Sequence, residues 1–230
     1  MKVHVGTSGW AYRWNRGGLR GYVKNTPFDT VELNSSFYRV PGERAVERWA
    51  REGSGLLWSV KVYRGITHVS RFGPDSYEAW EEFKRVFKPL DPLIKFYLFQ
   101  LPPSFGPKDF PKLEEFLKSV SLGRRAAVEF RNEDLFREDY IKRLGELEAT
   151  FVSVDSTKFK VYARTGPYAY FRLHGRGKPP YAYSYSEEEL EELAKEVLRV
   201  GGEAFVYFNN DDMYKNALTF LEIVKRFVEV

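Results

Sequence analysis

A single (β/α)8 TIM-like barrel is the fold this sequence predicts, and three observations carry that expectation. Eight short β-rich segments, starting at Val3, Thr30, Leu56, Tyr97, Ala126, Phe151, Tyr168 and Ala204, recur about every 29 residues, the length of one strand–helix unit. Several are continuous apolar runs, such as Ala126-Ala-Val-Glu-Phe130, Phe151-Val-Ser-Val154 and Ala204-Phe-Val-Tyr-Phe208, as parallel strands covered by helices require. Between them lie stretches with apolar residues at helical spacing. The 230 residues suit one barrel domain spanning 1–230, and no low-complexity linker divides them. An open doubly wound sheet is the second architecture compatible with this alternation.

Taken in order, Val3–Gly6 opens the chain as a strand and leaves no room for a secretory signal. Trp10–Asn25 is aromatic, basic and Gly-rich, so the first unit is irregular. Thr30–Leu33 forms the second strand, followed by a weakly patterned helix over Arg44–Arg51. Leu56–Lys61 is the third, with Tyr77–Phe87 as its helix. After Tyr97–Gln100, the residues Leu113, Phe116, Leu117 and Val120 share a helical face behind an Asp109 cap, with Pro111 in the first turn. Ala126–Phe130 leads to a helical pattern over Tyr140–Leu147. Phe151–Val154 leads instead to Ser156–Pro167, too short and β-branched for a helix, so the sixth unit is irregular as well. Tyr168–Leu173 precedes a capping box, Ser186-Glu-Glu-Glu189, ahead of Leu190, Leu193, Ala194, Val197 and Leu198, with Gly201-Gly202 as the stop. Ala204–Phe208 is the last strand; Ala217, Phe220, Leu221, Val224 and Val228 mark the closing helix.

Composition narrows the function classes. With 43% hydrophobic and 17% aromatic residues, the chain buries a sizeable core and is not globally disordered. No stretch approaches the roughly 18 consecutive apolar residues of a membrane span, so no membrane partner is expected and a cytoplasmic location is. The absence of Cys excludes disulfides, thiolate metal sites, iron–sulfur clusters and a Cys nucleophile. Lys and Arg number 36 against 32 Asp and Glu, a formal charge of +4, which permits a nucleic-acid partner without requiring one. Charged residues reach 30%, Gln100 is the only Gln and Met213 the only Met after Met1, a bias resembling thermophile proteins. Walker, Gly-x-Gly-x-x-Gly and Gly-x-Ser-x-Gly motifs are absent. Oligomeric state is not encoded in any motif.

Barrel enzymes collect their chemistry at the C-terminal ends of the strands. Here nearly every strand ends in polar residues: Thr7-Ser8, Glu32 and Asn34, Lys61, Gln100, Glu129 and Arg131, Asp155, Arg172 and His174, then Asn209-Asn210. Glu32, Glu129, Asp155 and His174 are the catalytic candidates, with Glu129 or Asp155 as base and His174 as partner acid. Alternation along the strand puts Glu129 and Arg131 on one side, expected to stand beside Asp155 from the next strand. Lys61, Arg131 and Arg172 offer cationic grips for an anion. Asn34, Gln100, Asn209 and Asn210 supply amides to orient hydroxyls, and Trp10 and Tyr38 supply aromatic faces. Gly175 and Gly177, between His174 and Lys178, permit close backbone approach of a phosphate, whereas Asp211 and Asp212 oppose an anion at the last helix. No cofactor is required; the carboxylates offer an alternative use in holding Mg²⁺ or Mn²⁺. Zinc hydrolysis is disfavoured, because His4, His68 and His174 are the only histidines. The structural alternative pairs Glu129 with Arg131 or Arg172 and Glu32 with Lys61 in a neutralised polar core, with His174 as an oriented structural imidazole.

Several of these segments also carry a resemblance. Gly6-Thr-Ser-Gly-Trp10, Phe28-Asp-Thr-Val-Glu-Leu-Asn34 through Phe37-Tyr38, Lys61 with Ile66-Thr-His68, Phe99-Gln-Leu-Pro-Pro103, Val128-Glu-Phe-Arg-Asn132, Arg172-Leu-His-Gly175 and Tyr207-Phe-Asn-Asn210 resemble, in order, the motifs of the YecE-like family, domain-of-unknown-function family 72. The resemblance covers nearly the whole chain. It implies a TIM barrel and a soluble protein, and it implies no reaction. The first loop departs from it: the family's Tyr-Pro after the first Trp segment is replaced by Gly17-Gly-Leu-Arg-Gly-Tyr22-Val.

The functional expectation is an enzyme, a hydrolase, lyase or isomerase, acting on a small or extended anionic substrate such as a phosphorylated sugar or nucleotide. A second expectation is nucleic-acid binding by the barrel mouth and the loop carrying Arg13, Arg16, Arg20 and Lys24 beside Trp10, Tyr12 and Trp14. A third is carbohydrate processing by paired carboxylates with aromatic platforms, for which Tyr181, Tyr183 and Tyr185 alternate along one loop.

Overall fold

Eight parallel strands wrap into a nearly closed barrel in the computed structural model, which describes residues 1–228. The elements run β1 (Val3–Thr7), α1 (Gly18–Asn25), β2 (Thr30–Leu33), α2 (Ser35–Tyr38), α3 (Glu43–Glu52), β3 (Leu57–Lys61), α4 (Asp75–Phe87), β4 (Ile94–Gln100), α5 (Phe110–Val120), β5 (Ala126–Glu129), α6 (Glu138–Glu146), β6 (Thr150–Ser156), β7 (Lys160–Val161), β8 (Tyr168–Gly175), α7 (Glu187–Val200), β9 (Glu203–Phe208) and α8 (Met213–Val228). The strand order is β1-β9-β8-β6-β5-β4-β3-β2. A lone bridge between Ser8 and Glu32 joins the two ends. All eight expected strands form, which excludes the open doubly wound sheet.

The closing seam between β1 and β2 is held by a side chain where the backbone ladder is thin. The Thr7 N–H donates to the Tyr22 hydroxyl at 3.2 Å, and that hydroxyl donates to the Thr30 carbonyl at 2.9 Å. Gly6 makes the approach possible, because a Cβ there would fall 2.1 Å from the Thr30 oxygen.

The sixth unit is irregular for a definite reason. β7 folds back antiparallel on β6, pairing Val154 with Val161 and Asp155 with Lys160, so a hairpin replaces the helix. In the first unit, a loop over residues 8–17 precedes the short α1. The capping box forms as expected: Ser186 Oγ accepts from the Glu189 N–H at 3.2 Å, and the Glu189 carboxylate accepts from the Ser186 N–H at 2.9 Å. The Asp109 cap does not form. Asp109 precedes α5 without bonding into it; its carboxylate instead accepts from the Gly106 N–H at 3.0 Å and from Arg71 at 2.8 Å.

Strand alternation divides the interior into two cores. Val31, Trp58, Val60, Phe99, Val128, Phe151, Phe171 and Val206 pack outward against the helices. Phe96, Leu98, Ala127, Val152, Val154, Tyr170, Phe205 and Tyr207 fill the barrel itself. Above this plug the barrel turns polar. Tyr207 bonds Thr30 at 2.7 Å, and Tyr170 bonds Ser59 at 2.6 Å. Among the described residues, no helix is long and apolar enough to cross a membrane.

Candidate functional site

The polar layer is organised by one side chain. Arg172 follows Tyr170 on the inward face of β8 and is 1% exposed. Its Nε and Nη2 donate to Glu32 at 3.0 and 2.7 Å, and its Nη1 donates to Glu129 at 2.5 Å. Gln100 and Asn34 accept from the same guanidinium at 3.3 and 3.4 Å. Glu32 also accepts from Ser8 at 2.8 Å and from the Tyr170 hydroxyl at 2.5 Å. Arg131, two residues past Glu129 and just beyond the end of β5, donates to it at 2.6 Å and to Gln100 at 3.3 Å.

Burial, the largest single influence, would push both carboxyls up. Arg172 with the Tyr170 and Ser8 hydroxyls together outweigh it for Glu32, and Arg131, Arg172 and His174 together outweigh it for Glu129, which is held well below the usual carboxylate range. Both are therefore ionised and fully engaged. Such a paired carboxylate is a poor base, since taking a proton would strand a buried guanidinium.

The groups able to handle protons stand around this quartet. His174 is buried; its Nε2 lies 3.2 Å from Glu129 and 3.3 Å from Arg131, and its Nδ1 lies 3.2 Å from the Asn209 amide nitrogen. Burial lowers its pKa to about 4 despite the Glu129 contact, so the ring is neutral at pH 7. With Nδ1 accepting from Asn209, Nε2–H donates to Glu129, and the Arg131 contact is then a close approach of two donors rather than a hydrogen bond. Lys61 ends β3, 8% exposed, with its Nζ 4.1 Å above the Phe37 ring. Burial, reinforced by the nearby Arg172, lowers its pKa to about 7. His68 sits on a π-helical turn (Gly65–Val69), 4.9 Å edge-on to the same Phe37 ring. Burial and the neighbouring Lys61 bring it to about 4.

Beside this layer opens a cavity of about 710 Å³, bounded by Arg131, His174 and the loops after β6 and β8. Lys158 and Lys178 add two further cations to its wall, and among the described residues the only carboxylate there is the already paired Glu129. Pro103, Val154 and Phe159 give it an apolar floor. Tyr181 overhangs it, 5.6 Å edge-on to His174, with φ at +70°, a left-handed conformation costly for an aromatic residue. The Asp211 N–H fixes that turn by donating to the Tyr181 carbonyl at 2.9 Å.

The structure thus brings together Glu32, Asn34, Lys61, Gln100, Glu129, Arg131, Arg172, His174 and Asn209. Of these, Glu129, Arg131 and His174 line the large cavity; Lys61 stands apart from it on the β3 side. Four expectations need correction. Asp155 is not beside Glu129: Val154 points inward, so Asp155 points outward, accepting from Arg176 at 2.9 Å, Tyr185 at 2.7 Å and Tyr162 at 2.5 Å. Asn210 is buried in a loop contact, its amide donating to the Tyr183 carbonyl and to Asn216, both at 2.8 Å. Trp10 is wedged between Trp49 and Trp58, with centroids 5.6 and 5.5 Å away. Tyr38 is 70% exposed and touches Phe37 by its edge, outside the cavity wall.

Of the structural alternative, the pairing of Glu129 with Arg131 and Arg172 forms, whereas the Glu32–Lys61 pair does not, because Arg172 takes that carboxylate. The same geometry bears on a divalent metal. Glu32 and Glu129 converge on a guanidinium where a metal would have to sit, and among the described residues no three His, Asp or Glu side chains form a metal-binding group. Sequence reasoning passed over His68 as a site residue, although it lies in the Ile66-Thr-His68 segment. It also passed over Lys158, for which only proximity in space gives a signal, and it named Tyr181 only as one of three alternating loop aromatics.

A family model described as "Protein of unknown function DUF72" matches residues 4–229. The YecE protein of Escherichia coli K12 is 30% identical over 139 residues, covering 58% of this chain and 50% of its own, so the match spans about half of that relative. YunF of Bacillus subtilis is 26% identical, covering 96% of this chain and 94% of its own. A crystal structure of a DUF72 family protein from Thermotoga maritima is 33% identical, covers 100% of both chains and superposes with a TM-score of 0.83. A D-psicose 3-epimerase, 13% identical with a TM-score of 0.61 over 99% of both chains, shares the fold.

Proposed function

The chain belongs to the DUF72 family of TIM-barrel proteins, and on that premise we propose that its barrel mouth is the active site of an enzyme taking a small anionic substrate, such as a phosphorylated sugar or a nucleotide. One observation carries this reading. Arg131, Lys158 and Lys178 face a single 710 Å³ cavity whose only carboxylate is already ion-paired, so the wall carries uncompensated positive charge. With Arg131 Nε and Nη2 engaged by Glu129 and Gln100, its Nη1 is left to donate to a phosphate or carboxylate, and lysines on flanking loops add mobile charge.

The chemistry fits proton transfer in a hydrolase, lyase or isomerase. Glu32 and Glu129 hold the guanidinia in place; the proton carrier lining the cavity is the neutral His174 ring, and the Lys61 amine stands on the β3 side of the same polar layer. Asn209 fixes the imidazole so that its Nε2 edge meets Arg131 and the bound anion together. Nucleic-acid binding retains only part of its expected surface. Trp14 stacks on Tyr214 at 4.8 Å and on Tyr12 at 5.7 Å, and Arg20 pairs with Glu52 at 3.0 Å, so the first loop's aromatics serve packing.

Calorimetric titration with ribose 5-phosphate, fructose 6-phosphate and a nucleoside monophosphate at low ionic strength tests the reading. The expected result is one site per chain, weakened about tenfold or more in Arg131→Met and less in Lys178→Met, which breaks no ion pair. Binding that is indifferent to both substitutions defeats it.

A further inference from the structure

We propose that Lys61 is an amine nucleophile that condenses with the carbonyl carbon of a substrate held at the barrel mouth, a step that rests on the anion-site reading above.

The geometry is unusual for a lysine. Strand alternation turns Lys61 inward with Ser59, and the Ser36 hydroxyl pins its main-chain carbonyl at 2.6 Å. Its nitrogen makes no hydrogen bond or ion pair among the described residues; its neighbour is the face of Phe37. A lysine this deep in a protein ordinarily carries a carboxylate partner. The two carboxylates within range are committed elsewhere: Glu32 to Arg172, Ser8 and Tyr170, and Glu129 to Arg131, Arg172 and His174. The nitrogen nonetheless meets solvent, since Trp14 Nε1 and Asn210 Oδ1 are the only fully buried partnerless polar side-chain atoms among the described residues.

The groups facing it come from every neighbouring element: Glu32 on β2, Glu129 and Arg131 at the end of β5, Arg172 on β8, and His68 from the π-helical turn. The cations and the burial prevail, lowering the ammonium to about 7. Near neutral pH about half of the side chain is then free amine, against about one part in 2,500 for an ordinary lysine. This is the condition under which lysine serves as a nucleophile.

The step balances without a redox partner. The Nζ lone pair adds to the carbonyl carbon while the C=O π pair moves to oxygen, which takes a proton. Nitrogen gives up a proton to form the neutral carbinolamine. Protonated hydroxyl then leaves as water, and the nitrogen lone pair forms the C=N bond. In sum, amine, carbonyl and one proton give an iminium and water. His68, neutral and bonded through Nδ1 to the Thr67 hydroxyl at 2.7 Å, keeps Nε2 free to pass these protons. The substrate class follows: an anionic aldehyde or ketone, such as an open-chain sugar phosphate or a 2-oxo acid.

The test is reductive trapping on the full chain at pH 7, with formaldehyde as the smallest carbonyl and dihydroxyacetone phosphate as an anionic one, followed by peptide mapping. Lys61 is expected to react at least tenfold faster than the exposed lysines with both probes, with a rate midpoint near pH 7. Lys61→Arg, which keeps a cation but removes the nucleophile, is expected to lose the fast adduct while retaining phosphate binding. Labelling of exposed lysines ahead of Lys61 with both probes, or a Lys61 rate still climbing through pH 9, overturns the inference. If Lys61 is unreactive but ribose 5-phosphate binding still depends on Arg131, the inference alone falls. Loss of that dependence removes the anion-site reading beneath it.

Discussion

At the scale of single residues, charge pairing decides which groups are framework and which are chemistry. Glu129 is 0% exposed and meets two guanidinia and an imidazole, so Glu129→Gln leaves Arg131 and Arg172 undercompensated. A loss of about 3–5 kcal/mol in urea unfolding is expected. Lys61→Met should have the opposite character, with stability unchanged or slightly raised, because it removes a buried cation that has no partner. Much of this site is legible in the sequence: residues at strand ends, and the shared inward side of Glu129 and Arg131. The place of Asp155 is not. Phe151-Val-Ser-Val154 is apolar or small at every position, so the run does not reveal its parity, and one step of parity moves Asp155 from the barrel axis to the helix layer. Glu32 likewise has two candidate cations in the sequence, and only the reach of Arg172 across the barrel selects between them.

At the scale of elements, the loop after β8 is a strap held from outside the barrel. The Gly175 N–H donates to the Tyr185 hydroxyl at 2.8 Å, and that hydroxyl donates to Asp155 at 2.7 Å, while Arg176 closes on the same carboxylate. Asp155 is therefore the anchor that sets one wall of the cavity. Tyr185→Phe should cost roughly 1–3 kcal/mol and speed amide exchange over residues 175–183, leaving α7 protected. Exchange mass spectrometry checks this; faster exchange throughout α7 instead would show that the strap has no independent role. Ser186→Ala, at the capping box, should cost about 1 kcal/mol in thermal melts. Helix starts, strands and the two irregular units were readable from local pattern. The hairpin was not, because its register depends on Val161 meeting Val154 across a turn, a contact no periodicity records.

At the scale of the whole molecule, the burial of neutral histidines makes the barrel acid-sensitive. His68 and His174 stay near 4 in the fold against 6.5 for the free side chain. As pH falls below 6.5 the unfolded chain takes up protons that the folded chain declines, so stability drops on the way to pH 4. Glu32 and Glu129 extend the loss: their folded pKa values are depressed, so their contribution is complete above the usual carboxylate pKa of about 4.3 and disappears as pH falls through the lower folded value. His4 works the other way. Burial pulls it down, but Asp29 at 2.6 Å and Glu203 at 3.0 Å raise it above 6.5, so its contribution is present below 6.5 and fades as pH rises. Two histidines against one give a net fall toward acid. Melting temperatures should be highest above pH 7 and decline between pH 6.5 and 4, with a shallower decline in His174→Gln.

If positive charge at the barrel mouth binds an anion as proposed, a rival basic cluster on the outer helices, Arg20, Arg48 and Arg51 beside Glu52, offers a direct contrast. Crystals soaked in tungstate, a heavy phosphate analogue, locate the anion by anomalous scattering. The expected peak lies within hydrogen-bonding distance of Arg131, bounded by His174 and Lys178, and is lost in Arg131→Met. A peak confined to Arg20, Arg48 and Arg51, with the mouth empty, would contradict it.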